Sequence, residues 1–213
     1  MPTINVRPKL MPSGRLCRLL LAFFVSFTWA VRVYAASFSD ANWVGMGGLP
    51  GADGGVSATV VDPSGNLYIG GSFTVVGEMK ANHIAKWDGT NWAVLDSGVD
   101  GSVYALAVAG SDLYVGGAFN NAGGASATGI ARWNGTTWSA VGSGLTGTVM
   151  ALAINGADVY AGGKFTNAPA GITNIARWDG NSWSALGGGI GNTTNDFVAA
   201  IQRAGAGRDV GQR

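Results

Sequence analysis

Side chains able to do chemistry are few in this chain of 213 residues, which holds one histidine, one cysteine and twelve acidic residues. Glycoside hydrolysis would need two carboxylates flanking one substrate bond. The carboxylates here fall mostly in turn-like surroundings instead, at Asp62, Asp88, Asp112, Asp158 and Asp179. A calcium loop would gather several oxygens in an Asp-x-Asp-x-Asp-Gly run, and the chain has no such run. Asp62-Pro63-Ser64-Gly65-Asn66 reads as a β-turn whose Pro and Gly set the dihedrals, with a weak turn-borne calcium site as the sharper alternative. His83 reads as a solvent-facing loop residue just before a strand, and a lone histidine supplies neither a metal constellation nor a Ser–His–Asp set. Lys86, Arg132 and Arg177 recur at one register, followed two residues later on the same face by Asp88, Asn134 and Asp179. This is a ladder of structural polar pairs, each worth little at a surface, or a repeated anion site. Glycine-rich segments punctuate strands and none opens a helix, so phosphate loops are not expected. No catalytic residue, metal site or cofactor is expected from this set.

The elements that carry these residues repeat. Ile-Ala-(Lys/Arg)-Trp-(Asp/Asn)-Gly occurs at 84–89, 130–135 and 175–180, with its tryptophans Trp87, Trp133 and Trp178 spaced 46 and 45 residues apart. The glycine pairs Gly70-Gly71, Gly116-Gly117 and Gly162-Gly163 keep a step of 46. A period of this size signals an array of supersecondary units.

The unit 102–144 illustrates the pattern. Residues 103–108 are apolar at every position, as in a strand buried on both faces. A turn cluster at 109–112 leads to a second strand, 113–115, ended by Gly116-Gly117. Residues 120–128 are small and polar and read as a loop; 130–133 form a third strand. Asn134-Gly135 signals a hairpin because both residues tolerate positive φ, and 137–141 form the fourth strand. Four short antiparallel strands in such a length make one propeller blade. Alanines such as Ala105, Ala107, Ala151 and Ala153 suit a crowded inner strand, and the glycine pairs suit close backbone approach. Trp92, Trp138 and Trp183 on the outer strand, with the tryptophans of the third, fill the wide part of the wedge. The loops at 77–82, 120–128 and 167–174 vary most, and variable loops on a constant frame are where recognition sits.

The expected fold is all-β, a partial propeller forming an open arc. Three blades run over 56–98, 102–144 and 148–189, and an orphan outer strand over 42–48 precedes them. Residues 197–201 could begin a further unit, and 190–213 otherwise lose the pattern. Truncation or a frame shift, or else a natural tail, would account for that. Closed propellers have about four to eight blades, so the open faces of a three-bladed arc would favour a longer chain or self-association.

Residues 1–35 read as a secretory signal, with a basic start (Arg7, Lys9, Arg15, Arg18), an apolar run over 19–31 and cleavage after Ala35. The run is shorter than the ~20 residues that span a bilayer, so membrane attachment is expected only through this segment if it is uncleaved. Five of the thirteen basic residues lie there and no acidic one, which leaves the mature chain at eight basic against twelve acidic, a net −4. No basic patch for nucleic acid remains. Cys17 leaves with the signal, so the mature chain would have no disulfide.

The Gly-Gly pair after an apolar strand and the Trp-(Asp/Asn)-Gly-x-x-Trp-x-x-(Leu/Val) hairpin resemble kelch-type β-propeller units over about 42–189. The repeats are especially similar to those of secreted bacterial proteins and of fungal cortical cell-polarity markers. The resemblance implies a propeller and little about function, because such propellers serve unrelated roles. Galactose oxidase has a kelch-like propeller, and its copper site needs histidine, tyrosine and a cysteine cross-linked to tyrosine. With His83 alone and no mature cysteine, this chain departs from that pattern. The leading expectation is an exported, non-enzymatic binding or structural module with a protein, glycan or cell-envelope partner. A carbohydrate-active propeller enzyme, or a gene fragment without autonomous function, is the alternative.

Overall fold

The computed structural model describes residues 51–167, 171–187, 189–191 and 196–201. The expected signal segment 1–35, the strand 42–48 and most of the tail lie outside them. The described chain is built from β-strands. The first sheet has the order β1-β2-β5-β6, from Val56–Val61, Leu67–Gly71, Ile84–Trp87 and Trp92–Val94, with a two-stranded hairpin of β3 (Val75–Val76) and β4 (Met79–Lys80) inserted between β2 and β5. The second repeats this with β7 (Ser102–Ala109), β8 (Asp112–Ala118), β11 (Ile130–Trp133) and β12 (Trp138–Ala140), and a hairpin of β9 (Asn121–Ala122) and β10 (Ala125–Ser126). The third is β13 (Thr146–Asn155), β14 (Asp158–Asn167), β15 (Ile172–Trp178) and β16 (Trp183–Ala185). All pairings are antiparallel. The inner strand β7 touches both β1 and β13, so the three sheets follow one another as the blades of an arc.

Three local features differ from the sequence reading. In blades 2 and 3 the second strand continues past the glycine pair, whereas in blade 1 it ends there, at Gly71. Gly116 and Gly117 lie inside β8, facing a bulge at Val103/Ala105, and the same bulge recurs at Val56/Ala58 and Val149/Ala151. The bulge brings inner-strand backbone against the second glycine: a Cβ on Gly71, Gly117 or Gly163 would run into the carbonyl oxygen of Gly55, Ser102 or Thr148. The inner strand is also not buried on both faces. β7 alternates between buried Val103, Ala105 and Ala107 and half-buried Leu106 and Val108, and Tyr104, at the bulge, is 40% exposed. The Asn134-Gly135 hairpin closes between paired Trp133 and Trp138 with a four-residue loop, and of its first two residues only Gly135 has positive φ, 97°. The Asn134 side chain holds the loop instead, accepting from Thr136 N–H and Thr137 N–H at 2.9 and 2.8 Å.

The core lies between blades. Tyr68, Ile84 and Leu95 of blade 1 share one cluster with Leu113, Val115 and Phe119 of blade 2. Tyr114, Ile130 and Val141 of blade 2 share another with Val159, Phe165 and Ile172 of blade 3. Each blade therefore has a leading face, turned to the blade before it, and a trailing face, turned to the blade after.

Candidate functional site

The titratable side chains are spent first on turns. Asp88 Oδ1 accepts from Thr90 N–H and Asn91 N–H at 2.8 and 2.7 Å, and Asp179 Oδ1 accepts from Asn181 N–H and Ser182 N–H at 2.9 and 2.8 Å. The backbone donors, Asn91 and Thr90 in one turn and Ser182 and Asn181 in the other, hold both carboxyls below the usual 3.8. Asp62 Oδ1 accepts from Ser64 and Asn66 N–H, both at 2.9 Å, while its Oδ2 accepts from the Asn66 side chain at 2.7 Å. Burial pushes the Asp62 carboxyl up, but the donors from Asn66 and Ser64 outweigh it and the net shift is downward. The turn is closed by Gly65 at φ 86°. Both Asp62 oxygens thus face N–H donors, the opposite of what a cation ligand requires. Among the described residues no three His, Cys, Asp or Glu side chains converge as a metal site.

The recurring cations sit across the second and third strands. Lys86, Arg132 and Arg177 are register partners of Tyr68, Tyr114 and Tyr160. Arg177 grips Asp158 with Nε at 2.9 Å and Nη2 at 3.0 Å, whereas Arg132 Nη1 stands 3.6 Å from Asp112. The Asp158 bond raises Arg177 above its ordinary value. Blade 1 carries Asn66 at the position of Asp112 and Asp158, and there Lys86 lies 5.9 Å over the ring of Tyr68. Burial pushes the Tyr68 phenol up, and its hydroxyl donates to Asp62 at 3.4 Å. The expected pairing of these cations with Asp88, Asn134 and Asp179 along one strand is replaced by pairing across strands, because those three are occupied by their own turns.

The glycines and tryptophans of the repeat do different work. Gly70 and Gly116 form cradles for the next blade: a Cβ on either would strike Val103 or Val149, the latter at 2.6 Å. Val198 lies over Gly162 in the same way, at 2.6 Å, with Ile201 where Leu106 and Leu152 sit in the earlier cradles. Trp87–Trp92, Trp133–Trp138 and Trp178–Trp183 are register pairs with ring centroids 5.3, 5.2 and 5.4 Å apart and tilted planes, the favoured aromatic arrangement. The outer rings also join blades. Trp138 Nε1 donates to Leu95 O at 2.8 Å and Trp183 Nε1 to Val141 O at 2.9 Å.

What remains open for recognition is the rim of loops and interblade linkers. Asp53 Oδ1 accepts from Thr74 and Val75 N–H at 2.7 and 2.9 Å, and Asp100 Oδ1 from Asn120 and Asn121 N–H at 2.8 and 2.9 Å. Each aspartate latches a linker to the inserted hairpin of the blade it enters. Sequence reasoning missed both; the signal was their 47-residue spacing, each before a glycine. Asn82 Nδ2 donates to Ser97 O at 2.8 Å and ties the blade 1 loop to the next linker. Glu78, Lys80, Asp96, Asn120, Asn121 and Ser126 are exposed on this rim. His83 stands beside it in the left-handed region, φ 73°, where blades 2 and 3 carry Gly129 and Asn174 at φ 72° and 61°. His83 is half-buried rather than fully solvent-facing.

Repeated four-stranded blades, packed through glycine cradles and tryptophan bridges, define a β-propeller domain. The family model described as the Rax2 C-terminal beta propeller domain matches residues 40–202, and the chain belongs to that family. Among solved structures it is similar to the extracellular domain of a protein from B. thetaiotaomicron described as a one component system, at 17% identity and a TM-score of 0.43, over 65% of this chain and 16% of that one. The chain thus spans about a sixth of that neighbour's length. No curated protein matches the sequence.

Proposed function

We propose that the chain is an exported propeller module of kelch type that binds a partner through its loop rim and carries out no reaction. The observation that carries this reading is where the carboxylates go. Asp53, Asp62, Asp88, Asp100 and Asp179 accept bonds from turn and hairpin N–H groups, and Asp112 and Asp158 face arginines. A hydrolase needs two carboxyls turned toward a shared substrate; these are turned into the frame. The rim, by contrast, offers hairpins of equal length but different sequence at 75–80 and 121–126, and extended β14 and β15 at the same place in blade 3, a variation that suits recognition. The Gly-Gly pairs and Trp-(Asp/Asn)-Gly hairpins support the kelch assignment, and the basic-apolar-small pattern of residues 1–35 supports export. Val198 and Ile201, seated over Gly162, support a ring that continues beyond blade 3.

The partner class is a protein, a glycan or a cell-envelope component. The test presents the purified chain to arrayed glycans and cell-envelope preparations, and in parallel to a panel of glycan substrates. Binding that disappears when 77–82 and 120–128 are replaced by Gly-Ser segments is the expected result. Turnover of any substrate that one carboxylate substitution abolishes would overturn the reading. N-terminal sequencing of exported material should begin at Ala36.

A further inference from the structure

The chain contains two Asn-Gly steps, Asn134-Gly135 and Asn155-Gly156. At such a step a chain can modify itself, because glycine has no Cβ to shield its amide nitrogen from the side chain before it. Both asparagines are exposed. Both glycines have positive φ, 97° and 63°, and a Cβ on either would meet nothing within 4 Å. The two asparagine side chains are held very differently. Asn134 Oδ1 accepts from Thr136 N–H and Thr137 N–H at 2.9 and 2.8 Å, and from the Thr136 hydroxyl at 2.9 Å. Its own N–H donates to Thr137 O at 3.3 Å across the turn. No hydrogen bond joins the Asn155 side chain to a described residue. Asn155 is the last residue of β13 and pairs with Asp158 across a loop formed by Gly156 and Ala157.

We propose that Asn155 is a site of hydrolytic deamidation in the folded chain, and that Asn134, in the same dipeptide, is protected by its turn. The Gly156 amide nitrogen loses its proton and bonds to Asn155 Cγ. The Cγ–Nδ2 bond breaks, and Nδ2 leaves as ammonia with that proton. Water then opens the five-membered imide. Opening at Cγ gives aspartate. Opening at the main-chain carbonyl carbon gives isoaspartate, in which the backbone runs through the side chain. The reaction requires Cγ to swing onto the next residue's nitrogen. At Asn155 that motion breaks no side-chain hydrogen bond to a described residue, and it frays only the end of a hairpin, where local opening costs least. At Asn134 it breaks the three bonds to Oδ1. The product bears on blade 3. Residues directly opposite in an antiparallel pair share a face, so a carboxylate at position 155 stands opposite Asp158, which Arg177 grips at 2.9 and 3.0 Å. Like charges placed that way oppose each other. Isoaspartate adds a carbon to the backbone where β13 turns into β14.

The experiment incubates the full chain at mildly alkaline pH in ¹⁸O-water and digests it. Mass spectrometry follows both asparagine peptides, with isoaspartate and aspartate separated by chromatography. In the folded chain Asn155 should convert at least about tenfold faster than Asn134, the factor that one or two net hydrogen bonds carry. In the urea-unfolded chain the two rates should converge, because the turn is gone. Asp88→Asn puts a third Asn-Gly step into the same turn, where Thr90 N–H and Asn91 N–H already point at Oδ1. In the folded variant that position should convert as slowly as Asn134; conversion there as fast as at Asn155 overturns protection by the turn. Equal rates at Asn134 and Asn155 in the folded chain overturn the proposal. So does a folded chain in which neither converts while the unfolded chain converts both.

Discussion

Val103 and Val56 hold the same place in successive blades, each opposite the second glycine of its own glycine pair. Val103 is fully buried because it drops onto Gly70 of the blade before it, and Val149 does the same on Gly116. Val56 is 46% exposed. The two valines share a register and a bulge; they differ in that Val103 meets a glycine cradle with Leu106 beside it, whereas Val56 meets none among the described residues and has Thr59 at the place of Leu106. The blade is therefore not a self-sufficient unit. Its inner strand is finished by its predecessor, as expected of an array in which each repeat buries its apolar face on a neighbour.

The hardest way to break that comparison is to fill a cradle. Gly116→Val should lower stability by about 3 kcal/mol, the upper end of overpacking costs, because Val149 belongs to a paired strand and cannot retreat. Gly162→Val should cost about half as much by the same reasoning, since Val198 and Ile201 lie in no strand and can shift. Urea unfolding of the two variants measures the ratio, and equal losses would mean that 196–201 is held as firmly as a blade. The reverse experiment empties the cradle. Val149→Ala should cost about 2 kcal/mol, while Val56→Ala should stay within about 0.5 kcal/mol, as for a surface position.

The same contrast can be sharpened at one atom. Trp138→Phe removes the bond to Leu95 O and should cost about 1 kcal/mol; the carbonyl keeps its partner Gly98 N–H at 3.0 Å. Trp92→Phe should lose nothing at that atom, because the Trp92 indole N–H is buried with no acceptor among the described residues and an unpaired buried N–H is a liability. Chemical denaturation of both variants in parallel measures the difference.

The frame was legible in the sequence because periodicity reports burial directly. The 46-residue step placed β2, β5, β8, β11, β14 and β15 within a few residues, and the Trp-x-x-x-x-Trp spacing fixed the outer hairpins. Interblade features were legible only in part. Gly70 and Gly71 look alike in sequence, yet one faces the next blade and the other its own bulge, a distinction that depends on which face of β2 each occupies. The inserted hairpins β3–β4 and β9–β10 were invisible as strands, since pairs such as Val75–Val76 and Asn121–Ala122 are too short to show a period of two. The polar ladder was misdrawn for a related reason. Spacing alone pairs Arg132 with Asn134, whereas strand register brings Asp112 toward the arginine and leaves Asn134 to cap its turn.

The smallest effect separates the blades by the chemistry of one turn. Blades 1 and 3 cap the tryptophan hairpin with Asp88 and Asp179, and blade 2 caps it with Asn134. Backbone donors hold the two carboxyls below 3.8 in the folded chain, and unfolding removes those donors. The carboxylate form is therefore favoured by folding. Its contribution is complete above the unfolded value and is lost as pH falls through the lower folded value. The amide of Asn134 accepts the same two N–H bonds and does not titrate. The double variant Asp88→Asn, Asp179→Asn should thus unfold at the same urea concentration as the parent near neutrality, yet lose less of that midpoint between about pH 5 and about pH 2. Some acid sensitivity must survive, because Asp53, Asp62 and Asp100 are also held low by the groups that donate to them. If the double variant instead lost as much midpoint in acid as the parent, the two carboxylates would be interchangeable with water at their turns. Asn134 would then be a neutral replacement rather than the third member of a set of caps.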